Sequence, residues 1–127
     1  MRRWWGTTVV TVAVAAVLAL AGACGGSKES MPAHAMQSAK DVAADAGFRA
    51  IEMGMVAYMA DHGAFPRSVS EVAAAGYVSP WPANPWTQQP MAEGGSPGDY
   101  QYQVGADGLS YTLVEHFSNS TKTVTKP

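Results

Sequence analysis

A chain of 127 residues with one cysteine, eight Lys/Arg and ten Asp/Glu has room for one small domain and for no intrachain disulfide framework. From Cys24 onward six Lys/Arg face ten Asp/Glu, a balance near −4, and no basic cluster offers the electrostatic footprint of a nucleic-acid binder. Nucleic acid is therefore not an expected partner.

Residues 1–23 read as an export signal, with Arg2 and Arg3 as the positive start and an uncharged apolar core from Thr7 to Leu20. Leu20-Ala21-Gly22-Ala23 sets small side chains directly before Cys24, which resembles the lipobox of bacterial lipoproteins, where lipid is attached to the cysteine and the chain is cut before it. Ala21 stands where leucine is usual, with Leu20 one step earlier. The other readings are an ordinary secretory signal cut near Ala23 and an uncleaved anchor from Trp4 to Ala23, which at ~1.5 Å per residue just spans a ~30 Å hydrocarbon core. Acylation is favoured because it consumes a thiol that would lie exposed on an exported protein, and because it supplies the several acyl chains that stable anchoring needs. The resemblance implies an extracytoplasmic protein held by lipid on Cys24 to a bacterial membrane, the cell membrane or the outer membrane. Residues 24–32, with Gly25, Gly26, Ser27 and Pro32, suit a flexible tether.

From about Ala33 to Ala60 there is no proline, and apolar residues recur at helical spacing at Ala44, Phe48, Ile51, Met55 and Tyr58 or Met59. One long helix with one apolar face is predicted, its other face carrying Lys40, Asp41, Asp45, Arg49 and Glu52. Asp61-His62-Gly63 ends it, Gly63 taking the left-handed conformation and Pro66 barring continuation. A short second helix starts at Ser68, where Ser68-Val69-Ser70-Glu71 has the form of a capping box, and ends at Gly76. Tyr77, Val78, Trp81 and Trp86 then follow among prolines 80, 82, 85 and 90 as an irregular loop folded back over the helix.

Asp99 to Val104 alternates, with Tyr100, Tyr102 and Val104 on one face, and reads as a half-buried strand. Gly105-Ala106-Asp107-Gly108 is a turn and Leu109 to Phe117 a second strand, so an antiparallel hairpin is predicted. The polar tail, 118–127, is open to two readings, an edge strand or a loose end. The fold class is α+β: over residues 33–117, a long N-terminal helix packed on a small antiparallel sheet, with a short second helix and an aromatic, proline-rich loop.

Five pieces in order, Tyr58-x-x-Asp61-x-Gly63-x-Phe65-Pro66, Gly76-Tyr77-Val78, Pro82-Ala83-Asn84-Pro85-Trp86, Tyr100-x-Tyr102 and Asp107-Gly108-x-x-Tyr111-Thr112-Leu113, resemble the head of type II secretion major pseudopilins and type IV pilins over residues 48–117. The resemblance implies a helix packed on a small antiparallel sheet, with Asp61 to Pro66 turning the chain off the helix end. In physical terms Phe65 and Tyr77 can close over Tyr58. The chain departs from that family in lacking its hydrophobic N-terminal helix half; Gly47 to Met53 looks like a processing site but is followed by far fewer than the ~20 apolar residues a membrane segment needs. Thr87 stands where a glycine often follows the Pro-Trp pair. The family's calcium loop has no clear counterpart; Glu93, Asp99 and Asp107 are the residues that could hold calcium, against a requirement for six to eight converging oxygens.

No catalytic residue is expected. His34, His62 and His116 are far apart and in no metal-ligand spacing, no serine sits in G-x-S-x-G, and no glycine-rich phosphate loop precedes a helix. His62 and His116 are expected at the surface. Two functions follow as expectations: a structural or interaction protein carrying a pilin-like head beside a secretion or pilus machine, with pseudopilins or assembly proteins as partners, and a free-standing envelope module gripping glycan or peptidoglycan with Trp81 and Trp86.

Overall fold

The computed structural model describes residues 32–127, and the export segment, Cys24 and the tether up to Met31 lie outside the described residues. Helix α1 (Ala33–His62) runs slightly past its predicted end. Ala44, Gly47, Phe48, Ile51, Gly54 and Met55 form its buried stripe, the i, i+3, i+4 pattern read from the sequence. Gly63 terminates it in the left-handed region, at φ 75°, and its N–H donates to the Met59 carbonyl at 2.7 Å.

The opposite face of α1 is not the charged one expected. Asp41, Asp45 and Glu52 lie only half exposed, and Asp41 and Asp45 are engaged by residues of the tail, through Ser118 and Lys122. Arg49 alone of the five charges stands on the outward face, which is otherwise formed by Val42, Ala46, Met53, Val56 and Ala60, all exposed. The physical reason is that a second surface packs on the flank of the helix, and the charges turn toward it.

Helix α2 (Val69–Ala74) buries Val69 and Val72 in the core, Val72 against α1, and gives way to Gly76 at φ 78°. The expected capping box is corrected. The Ser68 hydroxyl pairs with the Ser70 hydroxyl at 2.7 Å and caps no backbone donor. Glu71 does reach back, but to the N–H of Arg67 at 3.0 Å, one residue before the predicted partner. Gly54 lets the two helices approach: a Cβ there would overlap Val78 Cγ2 and fall 2.9 Å from Val72 Cγ1.

Strands β1 (Tyr100–Val104), β2 (Tyr111–His116) and β3 (Thr121–Lys126) form one antiparallel sheet in that order. The hairpin is as predicted but with shorter strands: Asp99, Leu109, Ser110 and Phe117 lie outside them, Leu109 at 48% exposure on the turn side of β2. Of the two readings left open for the tail, the edge strand holds: Leu113 pairs with Val124 and Glu115 with Lys122. Cross-strand neighbours share a face, so Tyr100, Glu115 and Lys122 make one row, Tyr102, Leu113 and Val124 the next, and Val104, Tyr111 and Lys126 the third. The core gathers Phe48, Ile51 and Met55 of α1, Val72 of α2, and Tyr111 and Leu113 of β2. No helix among the described residues is long and apolar enough to cross a membrane.

Candidate functional site

At the C-terminal end of α1 the chain reverses onto the sheet, and most of the motif residues converge there. Tyr77 donates from its hydroxyl to Asp61 Oδ2 at 2.6 Å, and this bond holds the phenol above its usual pKa. The Tyr77 ring meets Tyr58 edge-on at 5.6 Å, and Tyr58 stacks on His62 at 3.9 Å. The Tyr58 hydroxyl donates to Glu71 at 3.4 Å, tying α1 to α2. Phe65 takes a different place from the one expected: its ring packs edge-on against Tyr111 of β2 at 4.7 Å, because its N–H is held by the Gly108 carbonyl of the β1–β2 turn at 2.7 Å. Tyr102 completes the junction by donating to the Pro66 carbonyl at 2.6 Å. Asp61 to Pro66 is thus fixed on one side by α2 and its loop and on the other by the hairpin. His62 is exposed, as expected, and its Nδ1 lies 2.9 Å from the Tyr58 carbonyl.

The aromatic loop has its own organiser, Asn84, which the sequence reading carried only as part of a motif. Asn84 is 2% exposed; its amide donates to Pro97 O at 3.0 Å and to Asp99 Oδ1 at 3.3 Å, and its Oδ1 accepts from Trp86 N–H at 2.8 Å. Gly98, at φ 86°, presses on it so closely that a Cβ would overlap the Asn84 amide. Trp81 and Trp86 are both half-buried against the core, and the Trp81 indole N–H is spent on the Met91 carbonyl at 2.9 Å. Pro85, half-buried beside Asn84, completes the turn into Trp86. Beside Trp81 an open cleft of about 350 Å³ is lined by Ser68, Val69, Trp81, Met91, Glu93 and Tyr100. Burial, and after it the charge of Glu93, pushes the Tyr100 phenol up to about 12.

The three carboxylates considered for calcium do not come together. Asp107 sits in the β1–β2 turn and accepts from Leu109 N–H at 2.9 Å, while Asp99 stands at the other end of β1 and accepts from Ser96 N–H at 3.0 Å as well as from Asn84. Glu93 lies beside Tyr100 at the Asp99 end. Among the described residues no group of three or more His, Cys, Asp or Glu is gathered for a metal ion.

A buried charge was missed. Glu115 is fully buried, with Lys122 Nζ 3.1 Å from Oε2 in a line that makes an ion pair but not a hydrogen bond. Lys122 also reaches Asp45 of α1, at 3.3 Å. Burial chiefly, then the neighbouring Glu52 of α1, push the Glu115 carboxyl up to about 7, against the opposing pull of Lys122. Its signal was present in the sequence: Glu115 has the same strand parity as Tyr111 and Leu113, which places it on the inner face. Nearby, His116 is half-buried with an unpartnered Nε2 rather than a surface residue.

The class these elements define is an α+β domain in which a long helix packs with a small three-stranded antiparallel sheet. The chain matches no protein-family model, no curated protein and no solved structure.

Proposed function

We propose that this is a lipid-anchored, extracytoplasmic interaction protein whose head is pseudopilin-like and works beside type II secretion or type IV pilus-like machinery. The observation that carries the reading is the junction at the end of α1. A left-handed Gly63, the Tyr77–Asp61 bond and the Tyr102–Pro66 bond use the residues of the pseudopilin-like motif to turn a long helix onto an antiparallel sheet. The lipid comes from the Leu20 to Cys24 pattern, and the ligands of the head are neighbouring proteins. Catalysis has no part in this reading, and neither does a bound metal.

Cross-linking and affinity capture of the tagged full chain from intact cells, with mass spectrometry of its partners and of its own N-terminus, tests both halves. Pseudopilins or assembly-platform proteins among the captured partners, with diacylglycerol on Cys24, are the expected result; a lipid-free N-terminus or a partner set without such proteins counts against it. The cleft beside Trp81 favours a second reading, an envelope module for glycan or peptidoglycan, since it is a concave surface that sets an aromatic ring beside the polar side chains of Glu93 and Ser68. A glycan-array signal lost on Trp81→Ala or Trp86→Ala in a folded protein would select it.

A further inference from the structure

The cleft of about 350 Å³ takes Val69 and Ala73 from α2, Trp81, Met91 and Glu93 from the loop, and Tyr100 from β1. Its Trp81 ring is held in place by the bond from the indole N–H to the Met91 carbonyl. Glu93 stands exposed at this apolar surface and has no cation of its own. The three ion pairs among the described residues all join Asp45 or Glu115 to Arg49 or Lys122, on the flank of α1 and β3. A fixed aromatic ring beside a free carboxylate suits a long cationic side chain, whose alkyl stem packs on the ring while its charge reaches the carboxylate. The volume lies at the small end of the ~300–1,000 Å³ range of ligand pockets, so the cleft admits one such side chain and no folded element.

The backbone next to the cleft is open as well. At the two ends of the β1–β2 ladder His116 N–H donates to Asp99 O and Gly105 N–H to Ser110 O, so every second residue of β1 from Asp99 to Gly105 turns its backbone groups toward β2. Those of Tyr100, Tyr102 and Val104 turn outward. Tyr100 is satisfied by the chain itself: its N–H donates to Ala92 O at 3.2 Å, and its carbonyl accepts from Gly94 N–H at 3.0 Å. Tyr102 and Val104 have no backbone partner beyond the sheet among the described residues. Residues 92–94 thus begin a fourth strand position that an extended segment of another chain can continue. We propose that this corner of the head binds an extended segment of a partner protein, which adds to β1 at Tyr102 and Val104 and seats a lysine or arginine side chain in the cleft, against Trp81 and Glu93. This deepens the interaction-protein reading and rests on its premise that the ligands of the head are proteins. The balance near −4 from Cys24 onward favours a basic partner in the same sense. A neutral sugar in the cleft would use the ring and leave both the charge of Glu93 and the outward amides of β1 unanswered.

The probe is a blocked, threonine-rich hexapeptide with one central lysine, titrated to millimolar concentration into the full chain in mild detergent and followed by amide NMR. The same peptide with norleucine in place of lysine is its control. The lysine peptide is expected to bind at least tenfold more tightly than the control, and at saturation to slow hydrogen exchange of the Tyr102 and Val104 amides at least tenfold. Glu93→Gln should abolish the tenfold preference with the melting temperature unchanged, since the Glu93 side chain is exposed. Glu93→Lys should reverse the preference in favour of a peptide with central glutamate. Equal binding of the lysine and norleucine peptides, or a preference that survives Glu93→Gln, overturns the cationic seat. Amides that exchange as fast in the saturated complex as in the free protein overturn the strand addition. Glucosamine bound as tightly as the lysine peptide overturns a protein ligand here and the interaction-protein reading with it. Failure of the peptides to bind, while secretion or pilus proteins are still captured from intact cells, overturns this site alone.

Discussion

Glu115 is the residue whose chemistry the fold constrains most. Among the described residues it is the one fully buried charge, flanked in its row by Tyr100 and Lys122. Removing a carboxylate from water costs several kcal/mol unless its partners return the energy, and one ion pair of oblique geometry, opposed by Glu52, returns only part. The neutral form is therefore favoured, and the carboxyl titrates near 7 instead of its ordinary 4.5. Because the folded pKa lies above the unfolded one, the stability it contributes is complete below about pH 4.5 and is lost as pH rises through about 7. The head is expected to be more stable at about pH 5 than at about pH 8, by about 2 kcal/mol. Glu115→Gln should flatten that slope in thermal melts. A slope of the opposite sign would mean that the pair with Lys122 dominates.

At the scale of elements, a glycine inside α1 and the glycine that caps it do different work, and their variants separate the two. Gly63 has no atom within 4 Å of where a Cβ would stand, so Gly63→Val meets only the left-handed backbone, and a cost of about 1–2 kcal/mol is expected. Gly54→Ala meets Val78 and Val72 instead, and overpacking should cost about 1–3 kcal/mol and loosen α2 from α1. Denaturant melts give both magnitudes. An unchanged Gly63→Val would mean that the helix does not turn there, and an unchanged Gly54→Ala that α2 moves aside without penalty. Legibility followed the same division. Both helix ends, the aromatic loop and the hairpin were readable because glycine, proline and alternation act locally. Strand β3 was legible only as one of two open readings of the tail, since Thr121 to Lys126 buries little and Val124 alone of it packs on the core. With the tail open between a strand and a loose end, nothing in the local pattern turns Asp41, Asp45 and Glu52 away from solvent or brings Lys122 to Glu115. The Ser68 cap failed locally: its hydroxyl pairs with that of Ser70 and bonds no backbone N–H of the helix.

At the scale of the molecule, the proposed anchor is open to a direct prediction. Cys24→Ser should move the protein out of the detergent-extractable membrane fraction, read by fractionation and intact mass; a variant that stays membrane-bound and uncut would instead support the apolar segment from Trp4 to Ala23 as the anchor. The head itself is closed by ties of long reach. Asp41 accepts from Ser118, and Asp45 from Lys122, in both cases across 77 positions of chain. Joining points that far apart costs roughly 4 kcal/mol of loop-closure entropy, whereas α1 and the β1–β2 hairpin form from near neighbours. Such contacts come late on a folding route, so Asp41→Ala is expected to speed unfolding several-fold while leaving refolding nearly as fast, in a chevron measurement. The same ordering runs in reverse when the domain is strained: a pull applied at the tail peels β3 first and strips Lys122 from Glu115 while the long helix and the hairpin still hold.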